Sequence, residues 1–108
     1  MANTFKNYFS KNVGTTAASV YTGASATQAT VIGMTVANTS AANITVDVYI
    51  TYSAVDYYLV KGALVPVGGS LVPIGGDQKV VIETGDVLKV VSSAASSADA
   101  VISVLEIS

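Results

Sequence analysis

Three acids lie close together in the second half of the chain, Asp77, Glu83 and Asp86, and carboxylates so grouped have two familiar chemistries. One is calcium binding, but their spacing does not fit the helix-loop-helix calcium motif, and Asp beside Gly, as in Gly76-Asp77 and Gly85-Asp86, is ordinary turn chemistry. The other is glycoside hydrolysis by an acid and a base, which needs a cleft to raise one of the two carboxylates, and a short chain without Trp offers none. The adjacent pair Tyr57-Tyr58 suggests a sugar-stacking platform. Neighbouring strand residues point to opposite faces, however, so one of the two tyrosines is expected in the core.

Paired glycines raise a further chemistry. The stretch VPVGGSLVPIGG, residues 65–76, states nearly the same motif twice. A phosphate-cradling loop requires Lys and then Ser or Thr after the glycines, with a helix beyond, whereas Ser70-Leu71-Val72 and Asp77-Gln78-Lys79 follow here. An elastic tract needs many copies. Pro66 and Pro73 cannot donate to a β-ladder and belong at strand edges or starts. The repeat is therefore read as two chain reversals around a short strand, Ser70 to Val72, where the chain crosses between sheets.

What is missing narrows the function further. The chain has no Cys and no His, which removes thiolate nucleophiles, disulfides, the usual neutral-pH base and the commonest metal ligand. It has no Arg, and five lysines face seven acids for a net charge of −2. Phosphate backbones are held by clustered Lys and Arg, so no nucleic-acid partner is expected. No apolar run reaches the length of a membrane span, so no membrane partner is expected either. MANTFKNYFSKN lacks the continuous apolar stretch of a secretion signal. No catalytic, cofactor-binding or metal-binding residue is expected, and the chain does not read as an enzyme.

Period two organises almost the whole sequence. In NITVDVYITY, Ile44, Val46, Val48, Ile50 and Tyr52 share one face, with Thr45, Asp47, Tyr49 and Thr51 on the other, as a half-buried strand requires. Thr30 to Asn38 places Ile32, Met34 and Val36 together, and the turn Asn38 to Asn43 predicts a hairpin between these two strands. Asp56–Lys61, Lys79–Glu83, Val87–Ser92 and Ala100–Ile107 are short, rich in Val, Ile, Leu or Tyr, and bounded by Gly, Asp or Ser turns; Ser19–Thr22 adds another. Asp77, Glu83 and Asp86 then surround a second hairpin. Lys61, Lys79 and Lys89 sit in or beside strands, where charge discourages unwanted edge pairing. Seven or eight short, mostly antiparallel strands without helical periodicity predict an all-β fold, a single β-sandwich or small jelly roll.

At 108 residues one domain fits, burying roughly 65% of its unfolded surface. Its composition is 51% apolar and only 11% charged, far below the usual quarter of charged residues. Such a chain is short of groups that keep a surface wet, which points to a surface partly covered by other chains. Both phenylalanines, Phe5 and Phe9, fall in the first nine residues beside Tyr8. Residues 1–16 are read as an N-terminal strand or arm ahead of a β-sandwich domain over 17–108. As a strand, the segment sends its rings into the core; as an arm, it lays Phe5, Tyr8 and Phe9 on a neighbouring subunit, since aromatics often dominate interface energetics.

The segment from Tyr57 to Ser108 resembles the small β-sandwich virion proteins of tailed bacteriophages. In those proteins a strand ending near Lys leads into a Pro-Gly-Gly turn, then an acidic Gly-Asp turn before an apolar strand, a Ser/Ala-rich loop and a closing strand. The matching features are Val60-Lys61, Pro66 to Gly69, Glu83-Thr84-Gly85-Asp86, Leu88 to Ser93 and Ser103 to Ile107. With VYTG, TVIGMTVANTS and ITVDVYI upstream, the likeness extends over residues 20–107.

That resemblance implies a capsid decoration or cement protein, made in the host cytoplasm and located in the virion. Its partners would be the major capsid protein or another virion protein, with self-association into a homo-oligomer. The alternatives are a neck, tail or fibre accessory protein, or a host-surface carbohydrate- or receptor-binding module.

Overall fold

The computed structural model describes residues 3–75 and 78–107, and among them nine strands and no helix occur. The strands are β1 (Asn3–Val13), β2 (Ala18–Thr22), β3 (Gln28–Asn38), β4 (Ile44–Tyr52), β5 (Val55–Val65), β6 (Ser70–Ile74), β7 (Val80–Ile82), β8 (Val87–Ser92) and β9 (Ala98–Ile107). One sheet has the order β1-β9-β3-β6, with β7 also on β3, and the other has the order β2-β8-β4-β5. Every pairing among them is antiparallel. Strand β6 pairs along Met34 to Ala37 and β7 along Ala29 to Val31, so the two lie end to end as one interrupted edge strand. Counted that way, two antiparallel sheets of four form the sandwich that the period-two pattern predicts, with jelly-roll connectivity.

The core follows from alternation. Ile44, Val46 and Val48 of β4 face Val31, Met34 and Val36 of β3, with Leu88 and Val90 of β8 and Ala100, Ile102 and Val104 of β9 completing the buried layer. Ile32 departs from the expected pattern. The register with β9 shifts between Val31 and Gly33, and a bulge reverses the parity of everything before it. Val31 therefore takes the inward place, while Ile32 is left half-buried on the other side.

Both expected hairpins are instead arches between sheets. Asn38 to Asn43 connects β3 in one sheet to β4 in the other, because the buried Asn38 amide folds this corner. Its Nδ2 donates to Ala42 O at 2.8 Å and Val65 O at 3.0 Å, while its Oδ1 accepts from Ser40 N at 2.9 Å. The turn Glu83 to Asp86 likewise leads from β7 into β8 of the opposite sheet. Among the described residues only β4 and β5 form a hairpin of adjacent, paired strands.

The Pro-Gly-Gly repeat divides in two. Gly69 N donates to Pro66 O at 2.9 Å, closing a turn that carries the chain from β5 across to β6 in the other sheet. In the second copy Pro73 lies within β6, an edge strand, where a missing N–H is tolerated; Gly76 lies outside the described residues. Along β5, Leu59 is an extra residue between Tyr58 and Val60, and Lys61 and Gly62 together oppose Asp47. Gly62 has φ +67, which a side chain at this bulge would strain, and its N–H donates to Asp47 Oδ1 at 2.6 Å.

Candidate functional site

The N-terminal segment is the edge strand of the larger sheet. Strand β1 runs beside β9, pairing Phe5 with Leu105, Tyr8 with Ile102 and Phe9 with Val101. Alternation then separates the three aromatic residues. Phe5 and Phe9 point away from the sandwich and are 73% and 69% exposed, so the expectation of rings in the core fails for both. Tyr8 points inward.

Tyr8 and Tyr21 share one acceptor. Each hydroxyl donates to Glu106 Oε2 at 2.7 Å, and the two rings meet edge to face with centroids 4.9 Å apart. Tyr21 belongs to β2 of the opposite sheet, so this cluster joins β1, β9 and β2 across one end of the sandwich. The bonds from Tyr21 and then Tyr8 hold the Glu106 carboxyl below the usual glutamate range. Burial and the Glu106 bond push the Tyr21 phenol far up, and the Glu106 bond, with burial, raises that of Tyr8. An ionised carboxylate between two neutral phenols is a structural clamp.

At the other end of β1, Lys11 and Asn12 bulge opposite Asp99. Asp99 accepts from Asn12 N through Oδ1 and from Lys11 Nζ through Oδ2, both at 3.0 Å. The backbone bond and then the lysine bond lower its carboxyl. Beyond this point Val13 turns into the core.

Between these ends the outer face of the larger sheet carries no charge. Strand β1 contributes Phe5, Asn7 and Phe9, and β9 contributes Val101, Ser103 and Leu105, since Ala100, Ile102 and Val104 point inward. Across β9 the pairing continues to Thr30, Gly33 and Thr35 of β3. Exposed Val72 and Val81 edge the face on β6 and β7. A shallow depression of about 310 Å³, lined by Phe5, Lys6, Asn7, Ile32, Ser103 and Val104, lies within it. Alternation sends the Lys6 side chain to the side opposite Phe5.

The outer face of the smaller sheet differs in kind. It displays Asp47, Asp56, Lys61 and Lys89 around Tyr49 and Tyr58, whose centroids are 4.9 Å apart. Lys61 Nζ stands 4.2 Å from the centre of the Tyr58 ring, and Thr51 Oγ1 donates to Asp56 Oδ1 at 2.8 Å. Burial first, and then nearby Asp56, raises the Tyr49 phenol. Lys89 lies on β8, an interior strand, so it guards no edge, unlike Lys61 on β5. Neither Tyr57 nor Tyr58 is core: the β4–β5 hairpin runs past the opposite sheet, leaving Tyr52, Val55 and Tyr57 exposed at its tip.

The remaining candidates for chemistry have structural tasks. Asp86 Oδ2 accepts from Glu83 N at 3.1 Å and Asp86 N donates to Glu83 O at 3.0 Å, closing the turn between β7 and β8. Asp77 lies outside the described residues. Among the described residues no group of three acids is placed to share a metal ion, and each buried side-chain nitrogen or oxygen has a hydrogen-bond partner.

Sequence reasoning found Phe5 and Phe9 but missed Val101 and Leu105, although the signal was present. AVISVL, residues 100–105, is apolar on both faces except for Ser103, the pattern of a strand covered on both sides. Comparisons with protein-family models, curated proteins and solved structures find no match to this chain.

Proposed function

We propose that the protein is a non-catalytic structural component of a bacteriophage particle, a decoration or cement protein that binds the assembled shell through protein contacts. The observation that carries this reading is the uncharged middle of the larger sheet's outer face, bounded at one end by the Lys11–Asp99 pair, with two phenylalanines held outward on a paired strand. Isolated exposed apolar residues are normal, but here Phe5 with Leu105 and Phe9 with Val101 flank the hydrogen-bonded pair Asn7–Ser103 on one face without charge between them, and such clustering marks a place where another protein sits. The resemblance noted above supplies the virion as the setting. The jelly roll does not decide by itself, because capsid and lectin domains share it. Repetition on a shell suits such a protein, since many equivalent sites and bridged neighbours turn a modest interface into firm attachment.

The test is the copy number of this protein in purified particles of the phage that encodes it. Hundreds of copies support shell decoration, and a small ring-like number supports the neck or tail alternative. Absence from the particle overturns the proposal. A glycan array read with the purified protein addresses the carbohydrate-binding alternative, for which Tyr49 and Tyr58 on the charged face are the surface to watch.

A further inference from the structure

We infer that the outer face of the larger sheet, uncharged except for the Lys11–Asp99 pair at one end, is covered by the same face of a second copy, packed sheet on sheet across a two-fold axis. This rests on the reading of the chain as an assembly component and names the partner for that surface. Three observations select a second copy.

The first is charge. Burying this face against a charged surface would strip water from ions with nothing opposite to pair them. The molecule's other broad face carries Asp47, Asp56, Lys61 and Lys89, so stacking copies head to tail meets that cost. Matching the uncharged stretch with itself avoids it, because the one charged pair on this side, Lys11 with Asp99, lies at its end and is already neutralised at 3.0 Å, and a two-fold axis supplies that match by symmetry.

The second is area. Strands β1, β9 and β3 have 11, 10 and 11 residues. At about 3.3 Å per residue and about 4.8 Å per strand, four strands span roughly 35 by 20 Å, or about 700 Å² in projection with the Lys11–Asp99 end included. A stable interface buries about 800 Å² on each partner, which this plane approaches before the relief of its side chains is counted. Two sheets so packed lie about 10 Å apart, a gap that rings standing out from β1 can fill.

The third is the edge. Pairing two copies through their β1 edges would extend the sheet but leave Phe5 and Phe9 in water. The same strand carries Lys6 and Lys11 and a bulge at Asn12, devices that oppose edge pairing. Face packing covers the rings and leaves Lys6, on the side opposite Phe5, solvated. It also leaves the β4–β5 tip, with Tyr52, Val55 and Tyr57, free for a different protein.

Sedimentation equilibrium of the purified full chain tests the dimer. The expected mass is twice 10.9 kDa. Phe9→Lys, at an exposed position, is expected to keep the β circular dichroism and a cooperative melt while weakening association on the order of 100-fold, because the two-fold axis counts each residue twice. The chain has no cysteine, so single cysteines report the face directly. With a short bismaleimide, Thr35→Cys on the uncharged face should link two chains, and Ser19→Cys on the charged face should not. A monomeric wild type overturns the inference, as does a dimer that is linked through Ser19→Cys and unaffected by Phe9→Lys. A wild-type monomer that still resides in particles defeats the dimer alone, whereas a dimer absent from particles defeats the virion role alone.

Discussion

Glu106 shows how one residue joins the two layers. Its position in the closing strand marks it only as a polar interruption in an apolar run, and nothing near it in sequence announces two tyrosines 85 and 98 residues away. Parity was more informative about Tyr8, because residues 5 and 9 fall on one face and residue 8 on the other. Grouping the three as one aromatic cluster overrode that signal. The clamp has a pH signature. Glu106 titrates lower in the folded chain than in the unfolded one, so its contribution is complete above the ordinary glutamate value of about 4.3 and is lost as pH falls through the folded value. Glu106→Gln should cost about 1 kcal/mol at pH 7, less than a fully buried charged bond because the carboxylate is half in water. Melting temperatures of the variant and wild type should converge as pH falls below the ordinary glutamate value of about 4.3. Parallel curves over that range would remove Glu106 from the acid response. At the alkaline end the sign reverses. The raised phenols of Tyr8 and Tyr21 give stability that is present below about pH 10 and lost as pH climbs through their folded values.

At the level of elements, the strands were legible and their partners were not. Alternation located β3, β4, β8 and β9 closely, because burial on one face imposes period two on the sequence itself. A short polar turn between two such strands is equally compatible with pairing them or with arching one over the other, and only long-range contacts decide. At Asn38 the deciding contact is with Val65 O, 27 residues away. The one true hairpin among the described strands lacked its usual sign. Ser53 and Ala54 have φ of 50 and 64, the two left-handed positions that normally call for Asn followed by Gly. Supplying that pair, Ser53→Asn with Ala54→Gly, should relieve about 1 kcal/mol of backbone strain and raise Tm by about 5 °C. An unchanged or lowered Tm would show that the turn is not strained. The opposite effect is expected at Gly23, where an added Cβ would lie 2.1 Å from Glu83 O. Backbone, not a yielding side chain, stands in the way, so Gly23→Ala should cost about 3 kcal/mol as the turns at residues 23 and 83–86 are forced apart. Chemical denaturation of the two variants measures both signs.

For the molecule as a whole, the question is what β1 does for the sandwich. The buried hydrophobic core of the described residues lies from Val13 onward, so residues 13–107 hold the means to fold. Yet β1 pairs with β9 along almost its whole length, and β9 presents AVISVL, residues 100–105, a run without charge, Pro or Gly. Such a segment left on an open edge is a template for further strands. Deleting residues 1–10 removes the Tyr8 bond to Glu106, the burial of the Tyr8 ring and most of the β1 ladder, a loss of about 3 kcal/mol that corresponds to a fall in Tm of about 15 °C. The truncated chain should still melt cooperatively at low concentration. On concentration it should aggregate with a rising signal from a β-sensitive dye, because removing β1 bares the β9 edge beside the exposed Val101. Restoring solubility by Val101→Lys, an outward position on the newly exposed edge strand, would identify β9 as the sticking surface. A truncated chain that stays monomeric at high concentration would show that β1 protects nothing, and one that never melts cooperatively would show that the remaining eight strands cannot close the sandwich without it.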